Sequence, residues 1–281
     1  MGMERREFIL FGFAAALTSL PGPAAAQRFQ PTRFSVQMQG RGPDVLLIPG
    51  LTAGRDVWTS TAAAIPGYRY HLLQVAGFAG EPARGNARGA ILAPLMDEIA
   101  RYIADRSLRR PMIAGHSMGG TLAMMLAARR PELIGRVMVV DMLPQPAGLL
   151  GGTTEGWAPL ARSLGSMMDS PGGRQLFANL MGAFSPPQSS NRRSDPDVVG
   201  RASQELLAID LTRELPRIRA PMTVVYAVPD PRGRPAIERQ FNSAYARARG
   251  ARLVRIDGSG HMVMYDRPTD FRRAVRNFLA G

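Results

Sequence analysis

Residues 111–130 read PMIAGHSMGGTLAMMLAARR, and this stretch decides the fold of the chain. It begins as a short buried strand and continues from Gly119 as a helix. Between the two, Gly115-His116-Ser117-Met118-Gly119 fits the pattern G-x-S-x-G, which in this context presents a serine hydroxyl on a tight turn. Glycines are needed on both sides because larger side chains would collide with the strand and helix. Ser117 is therefore predicted to be a nucleophile at a helix N-terminus, where free N–H groups favour developing negative charge.

The alternation of strands and helices continues on both sides of this turn, which is typical of a mostly parallel sheet with helices on both faces. Strands are predicted over 44–48, 68–75, 111–115, 137–141, 222–227 and 252–256, and helices over 57–65, 90–106, 119–130, 198–209, 235–249 and around Phe271, Val275 and Phe278. From 143 to 215, Gly, Pro and Ser clusters interrupt scattered helical patterns. We predict an α/β fold with a core of residues 27–142 and 216–281 and a helical cap inserted at 143–215.

A serine nucleophile needs a base, and the chain has three histidines to offer. His116 lies inside the turn, so its ring should project away from the serine hydroxyl. His71 falls within a predicted strand and is interpreted as a structural residue. His261 follows the last predicted strand, at the end of the sheet where Ser117 also emerges. We predict His261 to be the catalytic base, so activity should fall as acid protonates its ring.

The acid that orients this histidine should follow another strand. Asp230 directly follows the run 222–229 and lies between the serine and the histidine in chain order. Asp141 ends the preceding predicted strand and is the alternative. Asp257 and Asp266 flank His261 and are expected to shape its loop.

The negative charge of the attacked carbonyl needs backbone N–H donors. One should come from the residue after the nucleophile and one from the loop after the first core strand. These residues are Met118 and Leu51.

Five segments in this order resemble the alpha/beta hydrolase family. They correspond to its oxyanion loop, Gly-rich loop, nucleophile elbow, acid turn and histidine loop: Ile48-Pro49-Gly50-Leu51, Gly77-Phe78-Ala79-Gly80, Gly115–Gly119, Tyr226–Pro231 and Gly260-His261. The resemblance runs from about Arg33 to the C-terminus. It favours Asp230 as the triad acid, although some members take the acid from the position of Asp141. The chain departs from the family pattern at Pro49, where histidine is common, and at Ala227, where glycine is common.

The resemblance implies hydrolysis of a carboxylic ester or related acyl bond through a Ser-His-Asp triad and an acyl-enzyme, with no cofactor and no metal. Serine at position 117 argues against the haloalkane dehalogenase and epoxide hydrolase branches, which use aspartate there. Thioester, lactone or C–C bond hydrolysis and cofactor-free haloperoxidase activity remain alternatives on the same triad. A non-catalytic binding protein is a further alternative, although a binder has no need for all three residues together.

The predicted cap is apolar, which would suit a small ester-like substrate with an acyl chain or an apolar alcohol group. The same side chains would also serve to pack the cap onto the core. They are Trp157, Met167, Met168, Leu176, Phe177, Leu180, Met181 and Phe184.

The composition excludes several kinds of partner and of chemical site. All 35 basic residues are Arg and the net charge is +13, but the Arg pairs are dispersed and lack aromatic interleaving, so no nucleic-acid partner is expected. The absence of cysteine excludes disulfides, thiolate metal sites and a cysteine nucleophile.

The first 26 residues predict export. Glu4-Arg5-Arg6-Glu7 precedes the apolar stretch 8–20 and the small residues Ala24-Ala25-Ala26, the pattern of a signal peptide cleaved after Ala26. Arg5-Arg6-Glu7-Phe8-Ile9 also resembles the twin-arginine export motif. The apolar stretch is shorter than the ~20 residues that span a bilayer, so no membrane anchor is expected. We predict a soluble mature protein in the bacterial periplasm.

Overall fold

The computed structural model describes residues 29–150, 170, 172–173 and 193–281. Its strands are β1 (Phe34–Gly40), β2 (Asp44–Ile48), β3 (Arg69–Val75), β4 (Met112–His116), β5 (Arg136–Val140), β6 (Met222–Val228) and β7 (Arg252–Asp257). They form one sheet in the order β1-β3-β2-β4-β5-β6-β7. Only the β1–β3 pair is antiparallel among these strands.

The edge strand β1 is absent from the sequence prediction. It pairs with β3 from Phe34 opposite Val75 to Gly40 opposite Arg69. Apolar and polar residues alternate along it, a period of two that indicates a strand. Burial does not follow this alternation but fades along the strand, from Phe34 at 1% exposure to Met38 at 58%.

Helices cover both faces of the sheet. They are α1 (Asp56–Ala64), α2 (Leu92–Asp105), α3 (Met118–Arg129), α4 (Pro196–Ala208), α5 (Arg234–Ala244), α6 (Val263–Asp266) and α7 (Pro268–Ala280). Along β2, Leu46 and Ile48 pack in the cluster formed with α2 to α5, whereas Val45 and Leu47 pack in the cluster formed with α1, α6 and α7. Alternate side chains of a strand point to opposite faces, so a strand covered on both sides is apolar throughout. The predicted α/β class is confirmed.

The strand order places a crevice between β2 and β4. β2 leads through α1 to β3 on one side, whereas β4, on the other side of β2, leads through α3 to β5. The loops after β2 and β4 therefore depart in opposite directions at the carboxyl ends of these strands. Open α/β sheets bind ligands at such a point. The loop that starts at Pro49 and the residue Ser117 both lie there.

Helix α4 lies within the predicted cap interval and is fastened to the core. Asp195 caps its N-terminus by accepting a hydrogen bond from the Val198 amide at 3.2 Å. Further along α4, the Glu205 carboxylate accepts hydrogen bonds from the Ile91 and Leu92 amides at 2.7 and 2.8 Å. These amides open α2, so a carboxylate there meets free N–H groups and the positive end of the helix dipole.

Two predictions fall wholly or partly outside the described residues. The predicted signal peptide, residues 1–26, is one of them, and most of the predicted cap, including its apolar residues from Trp157 to Phe184, is the other. Both remain predictions. No helix within the described ranges is long and apolar enough to cross a membrane.

Candidate active site

Ser117 stands between β4 and α3 in a backbone conformation that few residues adopt. Its φ is 54° and its ψ is −122°. The Ser117 amide donates to the Val140 carbonyl at 2.9 Å, and the Ser117 carbonyl accepts from the Gly120 and Thr121 amides. A non-glycine residue at positive φ costs of order 1–3 kcal/mol, and such residues cluster at functional sites. The surrounding hydrogen bonds therefore hold the half-buried Ser117 in a turn that the chain would otherwise avoid.

The glycines that flank the turn are required by close backbone contacts. A Cβ at Gly115 would lie 2.0 Å from the Gly119 carbonyl oxygen. A Cβ at Gly119 would lie 2.3 Å from the Ile48 carbonyl oxygen. Strand β4, helix α3 and strand β2 thus approach so closely that only hydrogen fits, as predicted from the motif.

We expect Gly119→Ala to lower the free energy of unfolding by about 3 kcal/mol, because the added methyl group meets backbone that cannot rotate away. Urea unfolding measures this loss. The matched control is Gly233→Ala, where a Cβ would lie 3.8 Å from Ile237 Cδ1 in ordinary contact. The control should cost less than about 1 kcal/mol. Equal losses in the two variants would contradict a steric requirement at Gly119.

His261 is paired with a carboxylate. It lies in the loop between β7 and α6, and its Nδ1 is 2.7 Å from Asp141 Oδ2. An ionised carboxylate only accepts hydrogen bonds, so the ring carries its proton on Nδ1 and keeps a free lone pair on Nε2. The His261 side chain is 36% exposed and that of Asp141 10%. A partly exposed imidazole is thus oriented by a shielded carboxylate, an arrangement that would suit a general base in acyl transfer.

Asp141 is itself held by the neighbouring strand. It follows β5 with a positive φ of 49°. Its amide donates to the Val225 carbonyl at 2.7 Å, and its Oδ1 accepts from the Ala227 amide at 2.9 Å. With one oxygen fixed by β6, the other oxygen is directed at His261.

Asp230, the predicted orienting acid, is engaged elsewhere. Its half-exposed carboxylate accepts hydrogen bonds from the Arg232 amide at 2.9 Å and from Arg232 Nη2 at 2.7 Å. The hydrogen bonds from Arg232, first from the side chain and then from the backbone, lower the pKa of Asp230. The structure therefore corrects the expectation: the carboxylate that contacts His261 belongs to Asp141, the alternative, and not to Asp230.

The loop after β2 packs against Ser117. A Cβ at Gly50 would lie 3.1 Å from Ser117 Cβ. Leu51 follows in a turn, and Met118 opens α3. Neither the Leu51 amide nor the Met118 amide has a hydrogen-bond acceptor among the described residues. Two free N–H groups thus belong to the segments next to Ser117, where an oxyanion hole would need them.

His116 is buried between Ser117 and the histidine loop. Its Nε2 lies 2.9 Å from the His261 carbonyl oxygen, and the two imidazole rings are 4.6 Å apart between centroids. A carbonyl oxygen only accepts, so Nε2 carries the proton of the neutral ring. Burial, with a smaller contribution from the charge of His261, lowers the pKa of His116 to about 3.

This buried neutral ring should make the fold sensitive to acid. On unfolding, the pKa of His116 returns from about 3 to its ordinary 6.5, so below pH 6.5 the unfolded chain binds a proton that the native chain does not. Stability is therefore lost as the pH falls, by about 2 kcal/mol between pH 7 and pH 5. Urea unfolding of the wild type and of His116→Gln at both pH values measures this. The glutamine variant should lose about 2 kcal/mol less than the wild type; equal losses would show that His116 does not titrate in this way.

His71 lies away from this site, in β3. It is 1% exposed, and its ring nitrogens pair with the Tyr102 hydroxyl at 2.8 Å and with Asp44 Oδ1 at 2.9 Å. Both nitrogens are engaged, as predicted for a structural histidine. Across the described ranges, no group of three His, Cys, Asp or Glu side chains is placed to hold a metal ion.

Comparison with known proteins agrees with the fold. The model of the alpha/beta hydrolase family matches residues 45–274. The chain belongs to the alpha/beta hydrolase family.

Comparisons with individual proteins show how far the similarity extends. The chain is 26% identical to a pimeloyl-[acyl-carrier protein] methyl ester esterase of Vibrio vulnificus, over 68% of this chain and 77% of that one. It is 28% identical to the polyketide synthase ThaQ of Burkholderia thailandensis over 94% of this chain, but it spans only 13% of the synthase. The enol-lactonase from Burkholderia xenovorans LB400 shares the fold, with a TM-score of 0.68, 22% identity and coverage of 88% of this chain and 96% of that one.

The site of this alpha/beta hydrolase also rests on contacts that the sequence analysis did not single out. The Ser194 hydroxyl donates to the Thr52 carbonyl at 3.3 Å and accepts from the Ala79 amide at 3.0 Å. It thereby joins the loop after β2 to the loop after β3. Nothing local in the sequence marks this role, because Ser194 and Thr52 are 142 residues apart. The Asp266 carboxylate accepts from the Gly260 amide at 2.8 Å, in agreement with its predicted part in shaping the loop.

Proposed function

We propose that this protein is a serine hydrolase that cleaves a carboxylic ester through an acyl-enzyme. Ser117 is the nucleophile, His261 the base and Asp141 the acid. The observation that carries the proposal is the 2.7 Å contact between His261 Nδ1 and Asp141 Oδ2. This contact keeps the ring proton on Nδ1, so Nε2 is free to accept a proton from the serine hydroxyl. The ring of His116, the residue before Ser117, lies 4.6 Å from that of His261.

Each residue has one task in this mechanism. His261 Nε2 takes the proton of the Ser117 hydroxyl as the oxygen attacks the ester carbonyl. The Leu51 and Met118 amides hold the oxyanion, and Asp141 stabilises the imidazolium. The imidazolium then returns the proton to the leaving alcohol, and the acyl group stays on Ser117. Water, deprotonated by His261, then attacks the acyl group, and the imidazolium gives its proton to the Ser117 oxygen as the carboxylic acid leaves.

Relatives support an acyl–oxygen bond as the target. The Vibrio vulnificus relative is named a methyl ester esterase, and the Burkholderia xenovorans structure is that of an enol-lactonase. A lactone is an internal ester, so lactone hydrolysis is the second candidate and needs no other residue. The apolar residues predicted for the cap favour a substrate with an apolar acyl or alcohol group.

A panel of p-nitrophenyl esters, lactones and thioesters tests the proposal. We expect turnover of short-chain esters that survives a chelator, because no step uses a metal. Ser117→Ala, purified in the same way, reports any contaminating esterase. If the wild type turns over no member of the panel and a fluorophosphonate probe does not label it, the proposal fails and a binding role on the same fold takes its place.

We also propose that the protein is exported to the periplasm after removal of residues 1–26. The charged start, apolar stretch and Ala24-Ala25-Ala26 support this. N-terminal sequencing of the periplasmic protein should begin at Gln27. Replacing Arg5 and Arg6 together by lysine should block export if the twin-arginine route is used. A full-length chain confined to the cytoplasm would contradict export.

A further inference from the structure

We propose that His116 is a positioning residue of this active site, whose Nε2–H holds the His261 backbone at the level of Ser117. The inference rests on the proposed function. It assigns a task to a histidine that neither binds substrate nor exchanges a proton in that mechanism.

His116 occupies the space between two loops of the site. On one side, its Nε2 lies 2.9 Å from the His261 carbonyl oxygen. On the other side, its Nδ1 would lie 3.0 Å from a Cβ built on Gly50, in the loop that carries Leu51. Its own backbone precedes Ser117. One rigid ring therefore contacts the histidine loop and the loop after β2, on either side of the nucleophile.

The hydrogen bond from His116 controls a part of His261 that Asp141 does not reach. Asp141 orients the ring through Nδ1. Among the described residues, the bond from His116 is the only hydrogen bond that the His261 backbone makes. With the ring held at Nδ1 and the backbone held at the carbonyl, the direction of Nε2 is fixed. Without the second contact, the His261 backbone would keep no hydrogen bond of its own among the described residues, so the base would be free to move relative to Ser117.

The single hydrogen-bond donor of the neutral ring is what distinguishes histidine at position 116 from an apolar residue. His116 is fully buried, and its Nδ1 has no hydrogen-bond partner among the described residues. An unpaired buried acceptor destabilises the native state relative to an apolar side chain of the same shape. What histidine provides that an apolar ring lacks is the Nε2–H bond to His261. The lowered pKa keeps the ring neutral, so no second positive charge develops beside the imidazolium during the reaction.

A matched pair of amides tests the donor. In His116→Gln the side-chain nitrogen reaches the position of Nε2, whereas in His116→Asn it reaches only that of Nδ1. We expect the asparagine variant to lose about 10- to 100-fold in kcat, and in its rate of labelling by a fluorophosphonate probe, with KM changed less than about twofold. The glutamine variant should stay within about threefold of the wild type. If activity is kept by glutamine and lost with asparagine, the loss comes from the missing Nε2–H donor and not from a general loss of packing.

Several results would overturn the inference. One is a folded asparagine variant that reacts at the wild-type rate; another is an equal loss in both variants while each unfolds cooperatively. Should the asparagine variant fail to fold, NMR of the wild type labelled with ¹⁵N-histidine gives a separate test. The His116 ring should carry a solvent-protected proton on Nε2, and a proton on Nδ1 would contradict the bond. A wild type that the probe does not label would instead refute the proposed function.

Discussion

Ser117→Ala is expected to lower kcat for ester hydrolysis by about 10⁵- to 10⁶-fold. The hydroxyl is the atom that forms the acyl-enzyme, so its removal leaves only the crevice and the oxyanion donors. These groups alone still favour attack by water, which is why a small residual rate above the uncatalysed reaction should remain. The free energy of unfolding should change little, because the hydrogen bonds that hold Ser117 all involve its backbone.

The matched control for this variant is Ser243→Ala, which removes a hydroxyl from an exposed position on α5. It should keep wild-type kcat and KM. A Ser117→Ala protein that hydrolyses esters at the wild-type rate would mean that the nucleophile is a different residue.

Asp141→Asn is expected to lower kcat by about 10⁴-fold. An asparagine oxygen at Oδ1 still accepts from the Ala227 amide, so the turn after β5 should survive. The amide nitrogen in place of Oδ2 is a donor, however, and it faces Nδ1 of His261. The ring is then stabilised with its proton on Nε2, the tautomer that cannot accept the Ser117 proton.

Asp230→Asn is the control for this prediction, since the two variants make the same chemical change in two carboxylates that both follow strands of the sheet. Asp230 is bound to Arg232 at the surface, so its variant should stay within about twofold of wild-type kcat. A larger loss in Asp230→Asn than in Asp141→Asn would restore Asp230 as the acid.

The contrast between these two residues shows where prediction from the sequence stops. The turn around Ser117 is predictable because its strand, glycines and helix are contiguous in the chain. His261 is predictable because few histidines compete for its role. The choice between Asp141 and Asp230 depends on which carboxylate is already bound by another hydrogen-bond donor. Arg232, two residues after Asp230, is such a donor. An aspartate can bind both the backbone amide and the guanidinium of an arginine two residues later. This pattern is visible in the sequence, and it argues against Asp230 as the acid that orients His261.

Contacts between distant segments are a second limit. β1 shows a period-two pattern, but its burial depends on pairing with β3. The bonds of Ser194 to Thr52 and of Glu205 to the start of α2 join residues more than a hundred positions apart. The ring of His116 was expected to point away from the serine hydroxyl, but its bond to His261 becomes apparent only when the loop after β7 is in place.

Covalent labelling tests the central claim most directly. The wild type is incubated with a fluorophosphonate at neutral pH, digested with trypsin and analysed by mass spectrometry. We predict one phosphonyl group per chain, on Ser117 within the peptide of residues 110–129. Ser117→Ala should carry none, and Asp141→Asn should be labelled far more slowly than Asp230→Asn. An unlabelled wild type, or an adduct on any other residue, would contradict the account.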